Sequence, residues 1–199
     1  RKNDHDSIFI IDTDGNNQRQ VFETKNGYHI IHPSFSPDGK KVIFNQYGSS
    51  GISKLYEVNI DGTGLKDFDL YIYNPCYSAD GQYIYGYDMG EILKINIGDY
   101  KKTTLGKLPS QSFEVKFSPD CKKILFIGLQ GKDAMVSPYN YQIYLADIDG
   151  SNTNKLTNDS GAKHQPTFTQ DGSQIIFIHN TVIKIMGITG NDIKEIVAQ

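Results

Sequence analysis

The 199-residue sequence contains no tryptophan and two cysteines, Cys76 and Cys121. A disulfide framework needs an even, patterned set of cysteines. These two occupy non-equivalent places in the pattern described below, so two thiols are expected and the redox compartment stays open. Charge of one sign is also lacking: 20 basic against 23 acidic side chains leave −3. This argues against an electrostatic nucleic-acid binder, which needs a basic face or stripe. No run of about 18 apolar residues occurs, so no membrane span is expected. The opening RKNDHDSIFIID has a basic tip but no long apolar region and no small-residue cleavage site, so it does not read as a signal peptide. Almost no segment carries a sustained helical period, which predicts close to zero helix. With 38% hydrophobic and 22% charged residues, the chain has the composition of a globular domain able to bury a core.

What the chain has instead is repetition. HPSFSPDGKKVIF (32–44) returns as NPCYSADGQYIYG (74–86), EVKFSPDCKKILF (114–126) and QPTFTQDGSQIIF (165–177). A catalytic motif normally occurs once; a motif written four times points to architecture. The turn aspartates Asp38, Asp80, Asp120 and Asp171 lie 42, 40 and 51 residues apart. A four-stranded propeller blade occupies about 40 to 45 residues. Three residues before each aspartate stand Phe35, Tyr77, Phe117 and Phe168; four after it stand Val42, Ile84, Ile124 and Ile175. An aromatic-ended strand therefore runs into a tight turn and returns as a β-branched strand. Proline presets φ, aspartate bonds its own backbone and glycine accepts positive φ. Cys121 stands in the glycine slot and should strain its turn or change the turn type.

Each unit has a second half: an alternating strand, an Asp-Gly or Gly-rich turn and a more polar strand, as in KLYEVNIDGTGLKDFDL (54–70) and YQIYLADIDGSNTNKLT (141–157). The most polar strand suits an outer edge facing water. One repeat is thus two hairpins, four antiparallel strands. A sheet with two apolar faces has to stack on its neighbours, and radial stacking buries both faces. The expected fold is an all-β propeller of four-stranded antiparallel blades. Residues 1–27 form a half blade with the two outer strands only, and 28–70, 71–108, 109–160 and 161–199 form four full blades. No inner hairpin remains to complete the half blade, so the chain is expected to be a piece of a larger propeller.

PSFSPDGKKVIF followed by LYEVNIDG, and QIYLADIDGSNTNKLT followed by PTFTQDG, resemble the WD-repeat-like units of the TolB-type β-propellers. The match is best over residues 141–172 and covers essentially the whole chain. Phenylalanine or tyrosine stands where that family commonly has tryptophan. The resemblance implies a six-bladed propeller, in the periplasm, the cell envelope or outside the cell, most often binding other proteins. It names no single partner, because such repeats occur in unrelated contexts.

Candidate chemistry is sparse, and no catalytic motif is found. DTDGNN (12–17) has calcium-like oxygen spacing, but its glycine is fourth rather than sixth and no glutamate stands at the twelfth position. NIDGTG (59–64) and DIDGSN (147–152) fill the same slot, so a turn accounts for all three. GSSG (48–51) is one residue short of a nucleophile elbow and reads as linker. Neither a metal site nor a cofactor is expected: His5, His29, His32, His164 and His179 show no helical spacing with a carboxylate. Six residues before each turn aspartate stand His32, Asn74, Glu114 and Gln165, all polar and all different. In a propeller this slot opens the innermost strand, so the four form a candidate ligand or partner ring at a channel mouth. The plainer reading is that they satisfy strand-end backbone groups. LQGKDAMVSPYNY (129–141) lengthens the third full blade, and its Met135, Tyr139 and Tyr141 are candidate contact residues. The function expected is non-enzymatic protein binding or scaffolding. The alternatives are a propeller attached to a peptide- or sugar-directed hydrolase or lyase, or a carbohydrate binder.

Overall fold

Strands begin and end at the repeated turns. In the computed structural model, residues 5–25, 27–49, 51–129 and 141–196 are described, and among them there is no helix. Two strands, β1 (Ser7–Ile10) and β2 (Arg19–Glu23), pair alone. The next sheet has the order β3 (His29–Phe35), β4 (Lys41–Tyr47), β5 (Ser53–Asn59), β6 (Lys66–Asp67). Then come β7 (Tyr73–Tyr77), β8 (Tyr83–Asp88), β9 (Glu91–Asn96) and β10 (Lys102–Lys107). A further sheet holds β11 (Ser112–Phe117), β12 (Lys123–Gly128), β13 (Gln142–Asp147) and β14 (Asn154–Lys155). The last holds β15 (Lys163–Phe168), β16 (Gln174–His179), β17 (Val182–Gly187) and β18 (Lys194–Glu195). These are four antiparallel four-stranded blades preceded by a two-stranded one, as the repeats predict. Three of the outer strands, β6, β14 and β18, are two residues long, whereas β10 runs six residues and carries lysines at both ends.

The chain divides into two compact units, Arg1–Asp88 with Lys94–Lys102, and Met89–Leu93 with Thr103–Gln199. In the first, Ile8 and Val21 of the two-stranded sheet pack with Val42, Phe44 and Val58 of the next. The second has a cluster of Leu125, Ile127, Ile143, Leu156, Ile175, Phe177 and Met186, drawn from its last two sheets. Each cluster spans two successive sheets, so neither sheet's apolar face is covered by its own strands. At about 1.5–3 kcal/mol per buried aliphatic or aromatic side chain, these clusters hold the sheets together.

The hairpin turns follow one scheme. Ser36, Ser78, Ser118 and Thr169 donate their hydroxyls to the turn aspartates at 2.7, 2.5, 2.7 and 2.6 Å. The same carboxylates accept the backbone N–H of Lys40, Gln82, Lys122 and Ser173. Cys121 keeps this scheme: its N–H reaches the Ser118 carbonyl at 2.8 Å and its φ is +54°. The turn type is unchanged, and a residue with a Cβ is held in a left-handed conformation that favours glycine. Cys76 and Cys121 are thiols, the first half-buried and the second buried.

The side-chain hydrogen bonds from serine and threonine hold all four turn aspartates below the usual value of 3.8, Asp171 at about 2. A depressed folded-state pKa adds stability above the unfolded pKa, lost as pH falls through the folded one. Stability should therefore be level above about pH 5 and fall from about pH 4 to 2. Circular dichroism melts across that range would check it; an unchanged melting temperature at pH 2.5 would show that the turns carry no such linkage.

Candidate functional site

The four polar residues of the inner strands share one backbone conformation. His32, Asn74, Glu114 and Gln165 have φ of +54°, +52°, +49° and +50°. Each sits at a break in register: between Ile31 and Ser34, Tyr73 and Cys76, Phe113 and Lys116, and His164 and Thr167. An unpaired residue at such a bulge tolerates the left-handed region best when it is polar and unbranched at Cβ. Pro33, Pro75 and Pro166 follow, where no ladder N–H is required. The polar column is thus a backbone device first. In the first unit, His32 and Asn74 lie on β3 and β7, which pack together. In the second, the Glu114 carboxylate accepts the Gln165 N–H and lies 3.8 Å from His164 Nδ1. Gln165 is exposed and the other three are half-buried.

Aromatic side chains crowd the blade ends where the inner strands begin. In the first unit Tyr28, Tyr71 and Tyr73 are exposed there, Tyr73 at 37%. In the second, Phe113 is 47% exposed and makes an edge contact with half-buried Tyr141, which also approaches the His164 ring. Met89, on the turn from β8 to β9, is 95% exposed. The opposite ends carry the Asp-Gly turns. Met135 and Tyr139 lie outside the described residues.

Two features escape the sequence patterns. The first is a cleft of about 520 Å³ in the first unit, lined by Asp38, Lys41, Glu57, Tyr77, Asp80 and Ile97 among others. Glu57 is buried, pairs with Lys41 at 2.7 Å and accepts the Tyr77 hydroxyl. Burial, then the Glu57 carboxylate, pushes the Tyr77 phenol well above its usual range. The alternation did not mark it, since Glu57 shares its phase with Leu55 and Asn59, opposite Tyr56, Val58 and Ile60. The second is Lys163, wholly buried, whose ammonium donates to the carbonyls of Asp159 (2.5 Å) and Gly161 (3.0 Å) and pairs with the Asp159 carboxylate. His179 closes the same loop through the Ser160 carbonyl at 2.9 Å.

Other candidates resolve into local structure. In DTDGNN, Asp14 accepts the Asn16 backbone and side-chain amides and Asp12 accepts Asn17, which is turn chemistry. Gly48 and Gly51 close the turn between β4 and β5. His5 and His29 stand beside Glu23 and Asp6, respectively.

Residues 1–194 match the family model of the TolB beta propeller domain. Among solved structures, TolB from Acinetobacter baumannii is similar at 22% identity and a TM-score of 0.69, over 92% of this chain and 46% of that one. An oligogalacturonate lyase from Vibrio parahaemolyticus gives 13% identity and 0.63, over 96% and 59%. A prolyl endopeptidase gives 13% and 0.59, over 100% and 36%. At these identities the likeness is one of fold. No curated protein matches the sequence.

Proposed function

Because this chain belongs to the TolB β-propeller family, we propose that it is a protein-binding module. It presents the blade ends where its inner strands begin. The observation that carries this reading is the exposed aromatic set at those ends, Tyr28, Tyr71 and Tyr73 in one unit and Phe113 beside Tyr141 in the other. Aromatics and methionine are enriched in protein interfaces because they bury much area at little entropic cost. Asn74 and Glu114 stand next to Tyr73 and Phe113 in sequence, and with His32 and Gln165 they supply polar contacts at the rim. Family membership supports a location in the periplasm, the cell envelope or outside the cell.

Photo-crosslinkers placed at Tyr73 and Phe113, and as controls at Gly39 and Gly172 on the turn ends, test the reading in extracts of the source organism. The expected result is a discrete protein adduct from the first pair and none from the controls. Equal adducts from both pairs would overturn it. Binding on a glycan array that Tyr73→Ala abolishes would instead favour the carbohydrate reading.

A further inference from the structure

Two seams between successive blades compare residue by residue, one inside each unit. In the first, β7 packs on β3, β4 and β5; in the second, β15 packs on β11, β12 and β13. Register aligns them: Lys41 faces Asn59 as Lys123 faces Asp147, and Ile43 faces Glu57 as Leu125 faces Leu145. Asn45 therefore corresponds to Ile127, Glu57 to Leu145 and Ser53 to Tyr141. The second seam builds an apolar cluster from Leu125, Ile127 and Ile143, with Leu145 and Tyr141 against it. The first substitutes an amide, a hydroxyl and a carboxylate, on residues only 0%, 3% and 4% exposed.

Satisfaction of these groups is incomplete. Asn45 donates to the Ile72 carbonyl at 2.6 Å, but among the described residues its own carbonyl oxygen has no partner, nor has the Ser53 hydroxyl. The Asn74 side-chain oxygen across the seam is likewise buried without one among the described residues. Glu57 is satisfied by Lys41 and Tyr77. The second seam also buries a charge, Lys163, but carbonyls and Asp159 cage it. The mouths differ too: about 520 Å³ at the first seam against about 180 Å³ at the cleft of Ser118, Asp120, Lys123 and Phe168.

We propose that the seam between β7 and the β3–β5 face is a built-in opening point, the seam at which this unit parts before any of its sheets unravels. The physical reason is asymmetry in what opening costs. Parting an apolar seam exposes hydrocarbon to water with no compensation. Parting the first seam lets Asn45, Ser53, Asn74 and Glu57 recover hydration that burial denied them. A buried ion pair offers weak net stabilisation, and hydrophobic residues of like volume often hold better. Opening widens the cleft at Asp38 and Asp80 while leaving every sheet ladder paired.

Thiol labelling of the whole chain tests this. Leu55→Cys and Ile143→Cys place a thiol at equivalent positions, both 0% exposed in the native residue. Peptide mass spectrometry separates them from Cys76 and Cys121. The thiol at 55 should label at least about tenfold faster than that at 143 under native conditions. Should Leu55→Cys fail to fold, Ser53→Cys, which exchanges one oxygen for sulfur, takes its place. The double variant Glu57→Leu with Tyr77→Phe copies the second seam. It should slow labelling at 55 or 53 by about tenfold and raise the melting temperature. Equal labelling at the two seams would overturn the proposal. So would a double variant that labels faster or unfolds, because the polar contacts would then be what holds the seam shut.

Discussion

Gly150→Ala is expected to cost about 3–5 kcal/mol, the sum of a left-handed penalty and a backbone clash. Gly150 has φ +82°, and a Cβ there would stand 2.5 Å from the Lys107 carbonyl oxygen. The contact recurs within each unit: Gly190 at φ +84° would meet the Leu156 carbonyl at 2.7 Å, and Gly62 the Val21 carbonyl at 3.1 Å. These three turns between the third and fourth strands thus press their glycines on the chain at the previous sheet's outer strand. From the other side, a Cβ on Gly106 would overlap the Asp149 carbonyl oxygen. Gly15 is the internal control, with φ +85° and nothing within 4 Å. Gly15→Ala should cost about 1 kcal/mol, the conformational part alone. Urea unfolding of the two variants separates the terms; equal midpoints would mean that the sheet-to-sheet contact contributes nothing.

Lys163→Met should cost about 2–4 kcal/mol, because a chain of similar length removes the cation and leaves its acceptors behind. The Asp159 carbonyl keeps a donor, the Gln142 side-chain amide at 2.9 Å, but no other donor to the Gly161 carbonyl is seen among the described residues. Asp159→Asn should cost less, since that carboxylate is half exposed and its partner is also held by carbonyls. The 158–162 connection leads into β15, so Lys163→Met should also speed proteolytic nicking there. A midpoint shift worth under about 1 kcal/mol would show that the carbonyl cage is dispensable.

Some of this was legible in the residues. SPDG and its variants predict the hairpins because the requirements are local: a hydroxyl two residues before an aspartate, and a position that accepts positive φ. The alternating strands show which residues turn to a neighbouring sheet, and the short outer strands agree with their polarity. The polar column at His32, Asn74, Glu114 and Gln165 was visible, but its bulge was not. A register break depends on what the partner strand offers. The burial of Glu57 was not legible, because its partner Tyr77 belongs to the next repeat and Lys41 to the strand before. Nothing in the residues around Lys163 marks it as buried, and only the folded 159–161 loop wraps carbonyls around it.

The amino-acid order alone therefore determined the strands, the turns and the need for sheets to cover one another, since φ preference and hydrophobic alternation act over a few residues. Tertiary structure decided which turn glycines are indispensable, which seam is polar and which lysine is buried. The glycine contacts and the Glu57–Tyr77 bond join atoms from positions about 20 to 43 residues apart in the chain, the lysine cage needs the fold of the 159–161 loop, and no local pattern encodes either.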